Sequence, residues 1–593
     1  MEFTIFAAVG LDNLKHSLKT PSCRVASTIS VRQKRVGSDA VFKKAAGVFT
    51  FTATSLISSL VFAATPAPNT LPTGGAVAAG SATISQVGNT MNINQSTQRA
   101  VINWQSFNVG KDATVNFNQP NANASTLNRV NGATASMING AVNSNGQVIF
   151  VNPNGVIFGK GAEINTGGIV ATTMNISDKD YMDGKNTYSG NGTGKVVNRG
   201  RISINSIDGY IALMAPEVKN EGVLIATMSG NNAIALVSGE KVTLTFSGSQ
   251  LINVNVDAST VNSLIANKRL IKTDGGQIII AANAASDLKA SVINNTGTIS
   301  ASGIDKSGGK VVLTAGTINQ NGVIAADGLS TPVVAASSNT ANISNNAPSN
   351  PKPVGGQVNL VANTINVGSQ SKTTAVGEAG GGQVVIGAKA SSVLPNQVLT
   401  DGNVGKKLTA SDAITAQIAT EVNIAAGAVI DTSAVKTGNG GLIAIWSLVK
   451  TTVGGVLNSL GGAISGNGGF IETSSIGQVV LDKSLRVNTS APSGTGKSGL
   501  WLLDPISLTI DSSGANVISN ALSTTNVTLD VTGAACPGYG TCTNSVQGQL
   551  TFLFGADIYS ANPFTSLSVI ANDGIINVNN NITAGQVYMV AQA

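Results

Sequence analysis

Apolar residues in this chain come in short runs, and each run is bounded by Gly, Asn or other polar residues. One unit recurs as "GGQIII" (275–280), "GGKVVL" (308–313), "GGQVNL" (355–360) and "GGQVVI" (381–386). A second recurs as "VVNRGRISI" (196–204), "VKNEGVLIA" (218–226), "VINNTGTISASG" (292–303) and "TINQNGVIAADG" (317–328). Each copy of the second unit is an apolar pair, a polar corner with Asn and Gly, and another apolar run. Copies at 196 and 218 are 22 residues apart, and those at 292 and 317 are 25 apart, close to one turn of a solenoid.

These units predict an all-β fold, a parallel β-helix solenoid with loop insertions. Short strands from successive coils stack about 4.8 Å apart, which aligns inward Val, Ile, Leu and Ala in ladders. Asn tolerates left-handed backbone and Gly needs no side-chain room, so both suit the bends between faces. At about 22 residues per coil, the chain beyond residue 64 gives ~24 coils and a rod of roughly 110 Å. Two stretches break the pattern: "DKDYMDGKNTYSGNGTGK" (178–195) is expected as an exposed loop, and residues 329–353, rich in Ser, Asn, Ala and Pro, as a flexible insertion. The last twenty residues remain repeat-like without a polar cap, so the natural chain is expected to continue or to be covered there by another chain.

Composition supports this reading. Charged residues are 11% and aromatics 4%, too few of the former for a helical protein's usual surface and too few of the latter for a wide core. Residues 1–64 stand apart. Eight basic and three acidic residues precede the apolar stretch "AAGVFTFTATSLISSLVFAA" (45–64), the layout of an extended signal peptide cleaved near Ala63 or Ala64. A membrane anchor is the alternative. Without the leader, 27 basic residues face 26 acidic ones, so the chain's +6 charge is no argument for nucleic acid as a partner. The single histidine, His16, leaves with the leader, which excludes Ser-His-Asp and Cys-His nucleophiles and the usual zinc sites. Cys536 and Cys542, in "CPGYGTC", are expected to close a small disulfide loop in an exported protein, with two free thiols as the alternative.

Other motifs are weak. "GTGKS" (494–498) lacks the first Gly of a phosphate-binding loop, since Ala491 stands there. Asp178, Asp180 and Asp183 lack the spacing of a calcium loop. No cofactor and no metal site is indicated, and no catalytic residue is assigned. Nine Asn-x-Ser/Thr sequons are what so Asn- and Ser-rich a chain contains by chance. In Asn152-Pro153-Asn154-Gly155, Pro presets φ for the second turn position, and Asn and Gly suit the next two of a type I or II turn. Two-residue hairpins use mirror-image turns that Pro cannot enter, so the tetrad predicts a corner between β-helix faces.

Residues of about 77–225 resemble the amino-terminal secretion domain of the filamentous haemagglutinin and high-molecular-weight adhesin family, the exoproteins of two-partner secretion. The resemblance rests on "AVINWQSFNVGKDATVNF" (100–117), "LNRV" (127–130), "INGAVNSNGQVIFVNPNGVIFGKGAEINTGGIVATT" (138–173) and "DYMDGKNTYSG" (180–190), with "SGNGGFIETSS" (465–475) and "SGLWLLDPISLTI" (498–510) farther on. One departure stands out: a second family motif, Asn-Pro-Asn-Leu, has no intact copy, and "QPNANAS" (119–125) occupies the comparable region. The resemblance implies a right-handed parallel β-helix, a secretion domain over 65–260, further repeats over 261–328 and 354–593, and export by a dedicated outer-membrane β-barrel transporter. It also implies that Asn152, Pro153, Asn154 and Gly155 serve secretion or folding, and that Asn165, in "INTGG", lies in the same family block. The expected function is that of a secreted or cell-surface adhesin whose receptor or glycan is unnamed. The alternatives are a secreted β-helix enzyme acting on polysaccharide and the stalk of a contact-dependent toxin.

Overall fold

The computed structural model describes residues 65–592, except 191, 229, 249, 259–261, 285–290, 331–351, 389–418, 492–495, 532–547, 573 and 579. The leader, nearly all of the 329–353 insertion and the Cys536/Cys542 pair lie outside the described residues.

The repeat units fold as coils of a parallel β-helix with three faces. The first face starts at Arg99–Trp104 and runs through sixteen parallel strands to Gln586–Gln592. The second starts at Ser136–Ile138 and the third at Thr90–Gln95. The "GGQ" units supply first-face strands: Gln277–Ala282 pairs in parallel with the strands before and after it. The Asn-Gly units span the corner from second to third face, as Lys195–Asn198 and Arg201–Ile204 show. In Lys310–Gln320, Gln357–Val367, Phe470–Leu481 and Leu500–Ile510 one strand runs through both the first and second faces.

Period-two alternation sends one set of side chains inward, and the parallel register stacks like on like. Val148, Ile169, Ile211, Ile234, Ile278, Val311, Val358, Val384, Ile443 and Ile471 form one unbroken buried column. Burying each of these side chains stabilises by about 1.5–3 kcal/mol before entropy is counted.

The sixteen first-face strands share residues 99–592, so a coil averages about 33 residues. The rod is therefore roughly 70 Å long, shorter than the repeat spacing predicted, because several coils carry excursions. One of these corrects the sequence reading directly. Residues 178–195 are not an exposed loop: they hold a short helix, Asp178–Met182, and a strand, Thr187–Ser189, and bury Tyr181 and Tyr188. Thr187–Ser189 joins the hairpin Lys241–Ser247/Gln250–Asp257 in an antiparallel sheet. Together they cover the outer side of the first face around Ile149, Val170, Tyr210 and Ala212.

At the amino-terminal end Ala76–Ala79 pairs antiparallel with Arg99–Trp104, and Ala82–Val87 with Thr90–Gln95. These strands cover edges that would otherwise template further pairing. A second irregularity lies on the third face, where a helix, Ser512–Ala521, takes the place of a strand. Asp511 caps it by accepting from Gly514 N at 2.7 Å. Ala515, Val517, Ile518 and Ala521 face the core, and the helix touches both Arg486–Asn488 and Ile558–Tyr559.

Candidate functional site

The tetrad at 152–155 joins the first-face strand Gln147–Val151 to the second-face strand Val156–Phe158. Gly155 N donates to Asn152 O at 2.9 Å, the closing bond of a four-residue turn with Pro153 second. Pro153 and Asn154 are exposed, whereas Asn152 and Gly155 are buried. Gly155 has φ +116°, and a Cβ there would lie 2.8 Å from Lys195 O in the next coil, so this position takes only glycine without strain.

Asn152 turns its amide inward. Its Nδ2 donates to Thr134 O and Ser136 Oγ, both at 3.0 Å, and its Oδ1 accepts from Asn154 N at 3.0 Å. Its backbone N donates to Thr172 O at 3.0 Å. Asn154 Nδ2 donates to Gly132 O at 2.9 Å, and Gly194 N to Pro153 O at 3.1 Å. The corner is thus bonded to the coil below it, 132–136, and to the coil above it, 194. Phe150 and Phe158 pack beneath it with ring centroids 6.5 Å apart, and Phe107 lies 4.9 Å from Phe150. The arrangement holds a rigid polar corner on an aromatic core and offers no acid, base or nucleophile.

Asn165 is elsewhere. It lies on the third face between buried Ile164 and Thr166, in register with Asn143 and Ser203. Asn143 Nδ2 donates to Asn116 Oδ1 at 3.1 Å, and Asn116 Nδ2 to Asn92 Oδ1 at 3.0 Å, so Asn165 continues a column of asparagines in register. It does not meet the tetrad.

Gln119 and Glu472 carry no signal in the sequence, whereas Asp178, Asp180 and Asp183 do. Gln119, first residue of "QPNANAS", is buried; its Nε2 donates to Thr126 Oγ1 and Gln147 O, both at 3.0 Å, and its Oε1 accepts from Ser144 Oγ. Asp178, Asp180 and Asp183 are each ion-paired, with Arg129, Lys185 and Lys179 at 2.5–2.6 Å, and among the described residues no cluster of three or more His, Cys, Asp or Glu could hold a metal. Far along the rod, Glu472 is buried beside Asp504, two residues along the neighbouring first-face strand from the one it pairs with. Desolvation, and then the Asp504 charge, push the Glu472 carboxyl up to about 8.

Three comparisons bear on this geometry. A model of the TPS secretion domain matches residues 68–326. A heme/hemopexin-binding protein of Haemophilus influenzae strain ATCC 51907 / DSM 11121 / KW20 / Rd is 36% identical over 258 residues, covering 42% of this chain and 28% of that protein. Another from Haemophilus influenzae is 30% identical over 251 residues, covering 39% and 26%. The solved secretion domain of HMW1 from Haemophilus influenzae superposes with TM-score 0.56 at 26% identity, covering 73% of this chain and all of that one. Residues 68–326 match the secretion domain carried by two-partner secretion exoproteins, and the chain is similar to them there. The matched stretch spans about a quarter of the curated relatives' length. The matched residues take in the antiparallel cap, the 152–155 corner and the cover built from 178–189 and 241–257. Exoproteins carrying this domain are secreted through the outer membrane to the cell surface or medium.

Proposed function

We propose that a dedicated outer-membrane β-barrel transporter recognises the TPS secretion domain of this chain and exports it unfolded, and that the folded rod then acts outside the cell as an adhesin or binding protein. The observation that carries this reading is the match to the TPS secretion domain over 68–326, on a β-helix whose first coils are capped and aromatic-packed. In this mechanism the 152–155 corner is an early folding element. Its bonds run to the coil before it and the coil after it, so each newly emerged coil docks on a completed one and the chain cannot slide back. Asn152, Pro153, Asn154 and Gly155 then serve folding during export, and Asn165 serves the same domain through its asparagine column.

The working part is a binding protein and not an enzyme. The relatives are named for binding, and haem or hemopexin is a second ligand reading drawn from those names. Without His16 a haem iron could take only such side chains as Tyr, Met or Cys from the remaining chain. The decisive experiment is co-expression with the partner transporter. The chain should reach the medium or cell surface with the transporter and accumulate in the periplasm without it. Equal delivery in both cases would overturn the export reading.

A further inference from the structure

Between the first face and its cover lies a cleft of about 700 Å³, inside the size range of small-molecule sites. Arg99 projects into it from the first coil. Its Nη1 donates to Tyr181 O at 2.9 Å and its guanidinium carbon lies 5.4 Å from the Tyr181 ring centroid. Among the described residues no carboxylate lies within 4.0 Å of Arg99, unlike Arg129 on the neighbouring strand, which is paired with Asp178. Lys185 on the rim is tied to Asp180 at 2.6 Å. Gly184, at φ +84°, stands over the guanidinium: a Cβ there would lie 3.3 Å from Arg99 Nη2, so the glycine keeps that side open.

The rest of the cleft has two characters. Phe246 and Tyr210 form an apolar wall with centroids 4.9 Å apart. Gln147, Asn123 and Asn186 line the polar side. Gln147 Oε1 accepts from Tyr210 OH at 3.0 Å, which orients its amide and leaves the NH2 as a donor. A partly buried guanidinium with free donors favours a planar anion that can take two parallel bonds, while amides beside an aromatic wall suit a ring with hydroxyls on its edge and C–H groups on its face. A β-paired peptide fits less well, because Lys241–Thr243 already pairs with Thr187–Ser189 and Leu244 N donates to Asn186 O at 3.0 Å.

The geometry points to this cleft as a binding site for an acidic saccharide, its carboxylate on Arg99 and its ring against Phe246. The inference rests on the reading of the chain as an exported binding protein, and its test is independent of export. The full chain, purified from whichever compartment holds it, is titrated calorimetrically with the glucuronate-containing hyaluronan disaccharide, neutral N-acetyllactosamine and a triglutamate peptide. The acidic disaccharide should bind saturably and the other two at least tenfold more weakly. Arg99→Lys should weaken that binding at least tenfold. Phe246→Ala should do likewise while preserving the Arg99 bond to Tyr181, and its delivery to the medium, measured separately, should match the parent's. The inference is overturned if the acidic disaccharide fails to bind, if neutral sugar or peptide binds as well, or if Phe246→Ala leaves its binding unchanged.

Discussion

Asn198 Nδ2 donates to Asn220 Oδ1 at 2.9 Å with neither side chain exposed. The column continues inside the rod: Asn220 donates to Asn267 at 2.9 Å, Asn267 to Asn295 at 2.8 Å, and Asn295 to Gln320 at 2.7 Å. Each amide satisfies the next, so a polar column stands in an apolar core without a buried unpaired group. Asn220→Leu orphans the Asn198 donor and the Asn267 acceptor, at about 1–3 kcal/mol for each group. Hydrogen exchange should show faster opening around 196–226 and unchanged protection beyond 420. A uniform loss along the rod would contradict this.

Asn152→Ala removes a buried amide with four side-chain bonds and should cost about 1–3 kcal/mol locally. Asn154→Ala loses an exposed bond to Gly132 and a long one to Asn152 Oδ1 and should cost less. Under the proposed export mechanism, cell fractionation should find Asn152→Ala in the periplasm and Asn154→Ala largely outside. Normal delivery of both would remove the corner from the mechanism.

Gly155→Ala puts a side chain on a positive-φ position against Lys195 O, an expected penalty of about 1–3 kcal/mol. The thermal midpoint should fall, and exchange should rise at 152–156 and 194–196 together, since those coils share the strain. A midpoint equal to the parent's would show that the backbone relaxes.

Glu472 gives a pH signature. Its folded pKa of about 8 lies above the ordinary value of 4.5, so between those values the folded chain keeps a proton that the unfolded chain has lost. Stability contributed by this group is full below about pH 4.5 and falls as pH rises through 8, by an amount on the order of a few kcal/mol. Glu472→Gln stays neutral and should lose less stability between pH 5 and 9 than the parent. Identical pH slopes in thermal melts would count against the burial of that charge.

What could be read from the sequence was what obeys local rules. Pro153 fixes φ and Gly155 permits positive φ, so the turn was legible, as were the strands, whose β-branched runs are short and evenly punctuated. Its partners were not: Thr134, Ser136 and Lys195 meet the tetrad only through coil stacking. Tyr181 and Tyr188 were hidden because single aromatics in a polar run carry no periodicity, and their burial depends on a hairpin more than fifty residues away. Glu472 and Asp504 lie 32 residues apart in sequence, and only the register of adjacent strands joins them. The helix Ser512–Ala521 has Asn, Ser and β-branched residues that rank low as helix formers, so the slot it fills between two coils selects it.

That helix also has a mechanical meaning. Through the middle of the rod three parallel ladders carry load from coil to coil, but at this level the third-face ladder stops at Arg486–Asn488 and resumes as Ile558–Tyr559 with Ile582–Thr583. A rod pulled along its axis is held here by two ladders of backbone bonds, so in single-molecule stretching we expect rupture to start at this level. Replacing Val517 and Ile518 with Asp should lower the rupture force further. A first break at some other level would show that side-chain packing of the helix compensates for the missing strand.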